Sequence, residues 1–71
     1  MMNRQEALSF AKASAAAAFD QRGEYADAVA SYRDNIRDTL NDEGAAEYED
    51  AAWAEYDAEV ARLFAKHGIR A

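Results

Sequence analysis

The feature that most constrains the fold of this chain is one amphipathic stretch between residues 22 and 40. Its apolar side chains recur at steps of three and four residues, which places them on one face of a helix; they are Tyr25, Ala28, Val29, Tyr32, Ile36 and Leu40. Gly23 stands where a preceding helix must end, because glycine readily adopts left-handed backbone angles. The stretch therefore predicts a helical hairpin whose flanking segments pack on it.

The composition favours helix in those flanking segments as well. Alanine is abundant, proline is absent, and the 71 residues include no cysteine that could form a disulfide or a thiolate metal site. A chain of this size forms one domain with a small core. We predict an all-α fold, a three-helix bundle built on the hairpin, with helices at about residues 4–22, 25–40 and 43–67 of a single domain, 1–71.

Helix 1 opens with a capping signal and carries two apolar strips. Asn3 and Glu6 have the spacing of a capping box, which places the helix start near Arg4. The first strip is predicted to face the core and contains Leu8, Ala11, Ala15, Ala18 and Phe19. A second strip contains Phe10, Ala13 and Ala17. It fits a helix lying in a groove between two others, or an exposed patch for a partner or a second protomer.

Helix 3 carries the largest apolar side chains. Asn41 can adopt left-handed angles and Asp42 can cap the next helix, so we place the second break there and the end of helix 3 at Gly68. Glu49 falls on the apolar stripe, so we expect its carboxylate to reach solvent or to meet an arginine. The side chains expected to be largely buried are Trp53, Tyr32, Ile36 and Phe19.

The net charge of −6 belongs to one segment. Residues 38–59 contain nine acidic side chains and no basic one. Two ranks of carboxylates recur at helical spacing: Asp27, Asp34 and Asp38 in helix 2, and Glu43, Glu47, Asp50 and Asp57 along an edge of helix 3. They are either solvated helix faces or a surface for a basic partner, and their sign argues against direct binding to nucleic acid or anionic membranes.

The sequence offers no recognisable catalytic constellation. His67 is the single histidine and precedes a helix-ending glycine, where it favours the helix dipole. The carboxylates have neither a cysteine nor a calcium-loop spacing beside them. We predict no cofactor, no metal and no catalytic residue, and hence no enzyme. Since no run is long and apolar enough for a membrane span or a signal peptide, we expect a cytoplasmic protein.

The hairpin resembles two known helical families. Its second helix is similar to the pattern G-[DN]-Y-x-x-A-[IV]-x-x-[YF] of the tetratricopeptide repeat, through Phe19, Gly23, Tyr25, Ala28, Tyr32 and Ile36. Lys12, Ala15 and Leu40 depart from it, standing where the repeat has tryptophan, leucine and proline. No second repeat follows, so the chain looks more like the three-helix microtubule-interacting-and-transport domain, to whose third helix Tyr56, Glu59, Arg62 and Leu63 are similar. That resemblance implies a groove between helices 2 and 3 that binds a partner helix or an extended peptide.

Two functional classes follow from these observations. The first is an acidic protein-interaction module, a small regulator or inhibitor that works by stoichiometric binding through an apolar groove or through Phe10. The second is a nucleic-acid mimic that blocks the basic surface of a host protein. In size and charge the chain resembles small phage-encoded inhibitors, including anti-CRISPR proteins. Wide alanine faces also make a homodimer possible.

Overall fold

The computed structural model of the chain describes residues 2–20 and 25–68. Within these residues, three α-helices form a bundle: α1 (Arg4–Ala18), α2 (Tyr25–Asp42) and α3 (Glu49–His67), with a short 3₁₀ turn at Ala46–Tyr48 before the last. Over the same residues there is no β-strand. The predicted all-α three-helix bundle is confirmed.

Helix α1 starts as predicted and ends earlier than predicted. The Asn3 side chain accepts a hydrogen bond from the Glu6 backbone N–H at 2.8 Å, and the Asn3 N–H donates to Glu6 Oε1 at 2.9 Å, which completes the capping box. The helix stops at Ala18 instead of residue 22. Its last turn tightens, because the Phe19 N–H is shared between the carbonyls of Ala15 and Ala16. The predicted break at Gly23 lies outside the described residues.

The second break differs from the prediction in its position and its chemistry. Asn41 and Asp42 are the last residues of α2, and the left-handed residue is Gly44, with φ of 67°. The Gly44 N–H donates to the Asn41 carbonyl at 3.2 Å and the Ala45 N–H to the Leu40 carbonyl at 2.7 Å, which is a Schellman motif. Glycine takes this conformation at less cost than asparagine, so α2 runs on to meet it. Helix α3 consequently begins at Glu49 instead of residue 43, and it ends at Gly68 as predicted.

The core of the bundle depends on small side chains from α1. Four alanines on one face of α1 have no exposed surface; they are Ala7, Ala11, Ala15 and Ala18. Alanine lets a neighbouring backbone approach closely, and α1 makes its most extensive contact with α3. The largest side chains without exposed surface are Tyr56, Ile36 and Leu40. The core is therefore a layer of alanines against a few large residues.

Of the four side chains expected to be largely buried, one lies in the fully buried core and the other three pack against it. Ile36 is fully buried, but Trp53, Tyr32 and Phe19 are only half-buried. Tyr56 takes the central position. The narrow alanine face of α1 leaves little room for bulky rings at the bundle centre, so these aromatic side chains pack around its margin.

The aromatic contacts fix the direction of the three helices. Phe19, just after α1, has its ring centroid 5.4 Å from that of Tyr25 at the start of α2 and 5.0 Å from that of Phe64 near the end of α3. His67 stacks on the same Phe19 ring at 5.8 Å. These residues form the aromatic end of the bundle, whereas the end of α2 and the start of α3 lie at the other. No helix in the described part of the chain has the length and apolar character needed to cross a membrane.

Two neighbouring alanines test the close approach of α1. Ala15 is fully buried and Ala16 is exposed. Ala15→Leu should destabilise the fold by about 1–3 kcal/mol, because the larger side chain forces the helices apart. Ala16→Leu should change the free energy of unfolding by less than about 0.5 kcal/mol. Urea unfolding followed by circular dichroism measures both, and equal effects at the two positions would contradict this close packing.

Candidate functional site

Exposed carboxylates gather at the end of the bundle where α2 turns into α3. We call this surface the acidic end; its members are Asp38, Asp42, Glu43, Glu47 and Asp50, all of which are exposed. Asp38 and Asp42 lie in the last two turns of α2, Glu43 in the turn, Glu47 in the 3₁₀ turn and Asp50 in the first turn of α3. The end of α2, the two turns that follow it and the start of α3 thus bring acidic side chains to one end of the molecule.

The predicted edge along helix 3 is not one continuous row. The steps from Glu43 to Glu47 and Asp50 would align on an uninterrupted α-helix, but the Gly44 turn and the 3₁₀ turn separate them. Of the predicted members, only Asp50 and Asp57 lie on α3, two turns apart. The other predicted rank is intact, because Asp27, Asp34 and Asp38 are all exposed residues of α2 at helical spacing.

The ion pairs of the described residues lie on the sides of the bundle, away from the acidic end. Arg33 contacts Asp57 at 3.0 Å, and Arg62 contacts Glu59 at 2.7 Å. None of the acidic-end carboxylates forms an ion pair with a described residue, although Arg4 and Arg37 lie near that end of the bundle. Exposed charges without an ion-pair partner are not neutralised by their own chain, and water and salt alone screen their field. The acidic end is therefore a group of like charges without ion pairs to the described residues.

Two aromatic side chains of α3 bind the backbone of α2. The Tyr56 hydroxyl donates to the Val29 carbonyl at 2.6 Å, and the Trp53 indole N–H donates to the Arg33 carbonyl at 2.8 Å. These bonds satisfy the polar atoms of both rings and fix how far α3 is shifted along α2. The expected need of Trp53 and Tyr56 for hydrogen-bond partners is thus met by backbone carbonyls.

Arg33 makes a further contact between α2 and α3, on the solvent side of these two hydrogen bonds. Its guanidinium lies 4.6 Å from the centre of the Trp53 ring and donates two hydrogen bonds to the Asp57 carboxylate, at 3.0 and 3.1 Å. The hydrogen bond to Asp57 raises the pKa of Arg33 above its ordinary value. Burial, with a smaller contribution from the Asp57 charge, raises the pKa of Tyr56 to about 12. Asp57 was predicted to belong to a free acidic edge, but Arg33 binds it.

Glu59 is a buried carboxylate that the sequence pattern did not single out. It is 8% exposed, and Arg62, one turn later on α3, donates to both of its oxygens. This pairing holds the pKa of Glu59 below its ordinary value, against the opposing effect of burial, with help from Lys12 and Lys66. The i, i+3 spacing to Arg62 was the available signal. Glu49, which was expected on the apolar stripe, is half-buried, and no arginine of the described residues pairs with it.

The predicted apolar strip of Phe10, Ala13 and Ala17 exposes little large apolar surface. Phe10 is half-buried and packs against the core, while Ala13 of the same strip is exposed and Ala17 is half-buried. An open depression of about 230 Å³ lies on α2, lined by Ser31, Tyr32 and Asn35. Phe10 therefore belongs in part to the core. In the described residues, no three acidic, histidine or cysteine side chains are grouped to hold a metal ion.

The Tyr56 bond makes a prediction about alkaline stability. Because the pKa of Tyr56 is higher in the folded chain than in the unfolded one, its contribution is complete below pH 10 and is lost as pH rises towards 12. Tyr56→Phe should lower the free energy of unfolding at pH 7 by about 0.5–1.5 kcal/mol. It should also make the loss of stability between pH 10 and pH 12 less steep.

Urea unfolding at each pH gives both quantities, with Tyr48→Phe as the control. Tyr48 is half-buried, and its hydroxyl makes no hydrogen bond to a described residue. An equally steep alkaline decline in wild type and Tyr56→Phe would show that Tyr56 does not determine it.

Comparison with known proteins assigns no family. No family model matches the chain, and no curated protein or solved structure is significantly similar to it. The likeness to the tetratricopeptide repeat and to the microtubule-interacting-and-transport domain therefore depends on the residues given above.

Proposed function

We propose that this protein works by stoichiometric binding to another protein with a basic surface, as a small regulator or inhibitor. The observation that supports this most directly is the acidic end, where five exposed carboxylates lie without an ion pair to a described residue. Such a set of exposed like charges contributes little to the stability of its own fold. It does create a negative potential that a cationic partner meets before contact.

The physical role of this potential is to guide association. Charges of one sign at one end of a molecule raise association rates and select orientation more than they deepen equilibrium affinity. The Cα trace of the bundle is 36 Å long, several times the Debye length of about 8–10 Å in physiological salt. A basic partner near the acidic end is therefore attracted to that end and not to the molecule as a whole.

A binding role also agrees with the placement of the titratable groups. His67, the chain's single histidine, stacks on Phe19 at the aromatic end. It lies at the opposite end of the bundle from the acidic end, so these carboxylates and the histidine form no acid–base pair. The ion pairs Arg33–Asp57 and Arg62–Glu59 join side chains within the bundle.

A nucleic-acid mimic is the second candidate, and the exposed row on α2 favours it. Asp27, Asp34 and Asp38 are exposed along one side of the helix, and the row continues into the acidic end. A line of carboxylates of this kind could occupy a groove that tracks a phosphate backbone. In that case the partner would lose its nucleic-acid binding when the protein is bound, which a simple docking partner would not.

Neutralising the acidic end tests the proposal. The variant Asp38→Asn, Glu43→Gln, Glu47→Gln leaves Asp50 and Asp57 unchanged and should keep the fold, since exposed charges contribute little to stability. Association with a partner captured from the native host should slow by about tenfold or more at low salt, and its salt dependence should flatten. Biolayer interferometry at several salt concentrations measures both effects.

A matched control removes the same number of charges elsewhere. The variant Asp20→Asn, Asp27→Asn, Asp34→Asn changes three exposed acids, of which Asp27 and Asp34 belong to the α2 row. If this variant alone slows association, the α2 row is the binding surface and mimicry is favoured. An unchanged association rate at low salt for the acidic-end variant would refute the proposed role of that end.

A further inference from the structure

The side of the bundle formed by α2 and α3 carries opposite charges on its two helices. We call it the α2–α3 face; it consists of Ala30, Arg33 and Arg37 from α2 and Asp50, Trp53 and Asp57 from α3. Its members are exposed or half-buried. Along α2 the charged residues of this face are basic, and along α3 they are acidic.

The hydrogen bonds between α2 and α3 set the position of each charged residue along the bundle axis, which we call its height. The bond from the Trp53 indole to the Arg33 carbonyl places Arg33 level with Trp53 on the antiparallel helix. Arg37 lies one turn further along α2, and Asp50 lies about one turn back along α3, so these two residues are level as well. Arg37 and Asp50 therefore occur at matching heights across the face, whereas Asp57 lies about one turn from the height of Arg33.

Arg37 and Asp50 are unpaired with any described residue of their own chain, whereas Arg33 and Asp57 pair at 3.0 Å. Trp53 lies between the two charged rows, half-buried, with its ring against the Arg33 guanidinium. Tryptophan and arginine are the side chains most often found at the centres of protein interfaces. Ala30 on α2 and Ala54 on α3 are exposed beside them and would let another backbone approach closely.

We propose that two copies of this chain associate through the α2–α3 face, about a two-fold axis parallel to α2 and α3. This axis lays α2 of one protomer over α3 of its partner at the same height. Arg37 of each protomer then meets Asp50 of the other, and the two Trp53 rings pack near the axis. The result is a four-helix arrangement of two stacked pairs, in which neighbouring helices run antiparallel.

The charge pattern selects a second copy as the occupant. A face that is basic on one helix and acidic on the other, with Arg37 and Asp50 at the same height, is complementary to itself under this two-fold rotation. A partner of single charge, such as the basic one proposed for the acidic end, would be repelled by half of the face. The dimer interface and the acidic end share only Asp50, which the acidic-end variant leaves unchanged, so either proposal can fail without the other.

Sedimentation velocity across protein concentrations tests the dimer directly. The wild type should form a dimer with a dissociation constant on the order of 10–100 µM, as a small two-helix interface implies. The fluorescence of Trp53, the chain's single tryptophan, should shift to shorter wavelength over the same concentration range. A wild type that remains monomeric up to about 1 mM would overturn the proposal.

Two charge reversals then identify the face. Arg37→Glu places a carboxylate against Asp50 of the other copy, and Asp50→Lys places an ammonium group against Arg37, so each variant alone should dimerise at least tenfold more weakly. Mixing the two variants should restore association to about the wild-type level. In the mixed dimer the introduced glutamate meets the introduced lysine, and the remaining Arg37 meets the remaining Asp50. An intramolecular role of these two residues could not produce this rescue, since each protomer keeps its own defect.

The controls reverse one acidic and one basic residue that lie outside the α2–α3 face. Asp20→Lys and Lys66→Glu change exposed residues at the other end of the bundle and should leave the dimer at wild-type strength. Circular dichroism confirms that each variant folds. Full dimerisation of Arg37→Glu alone, or failure of the mixture to associate, would exclude this face as the interface.

Discussion

The hydrogen bonds from two aromatic side chains of α3 to the backbone of α2 are the contacts on which the rest of the structure depends. Tyr56 binds the Val29 carbonyl and Trp53 the Arg33 carbonyl, one turn apart on α2. Apolar packing alone tolerates sliding of one helix along another, because it has no direction. A hydroxyl and an indole N–H that must each reach a carbonyl remove that freedom, since a buried donor left unpaired is costly. The register of α2 on α3 follows, and with it the pairing of Arg33 with Asp57.

The alanine face of α1 has the complementary role. Ala7, Ala11 and Ala15 contribute little apolar area each, but they bring α1 close to α3. Such a core buries few large side chains, so the half-buried rings of Trp53, Tyr32 and Phe19 remain at its margin. A small domain of this kind has modest stability and keeps aromatic surface in contact with solvent, which is the combination that favours association with another chain.

Charge is distributed in a way that the fold itself does not require. Glu59 is buried and bound by Arg62, so it belongs to the packing of α3. The acidic end has no such role, because its side chains are exposed to solvent around the turn at Gly44. The α2–α3 face differs from both, since Arg37 and Asp50 lie at the same height on its two helices. Recognition of a basic partner and self-association can therefore use two surfaces of one small bundle that share only Asp50.

The sequence by itself determined the features that depend on neighbours along the chain. The Asn3–Glu6 capping box, the number and type of helices and the end of α3 at Gly68 were all predicted, because caps and helical periodicity depend on residues a few positions apart. Tertiary structure decided which large residues fill the centre. Trp53 and Tyr56 lie on the same stripe, and only the rotation of α3 against the alanines of α1 buries Tyr56 completely and leaves Trp53 partly buried. It likewise decided that Asp57 meets Arg33 and that Glu43, Glu47 and Asp50 form an end of the bundle instead of a row, because a residue's spatial neighbours depend on where the other helices lie.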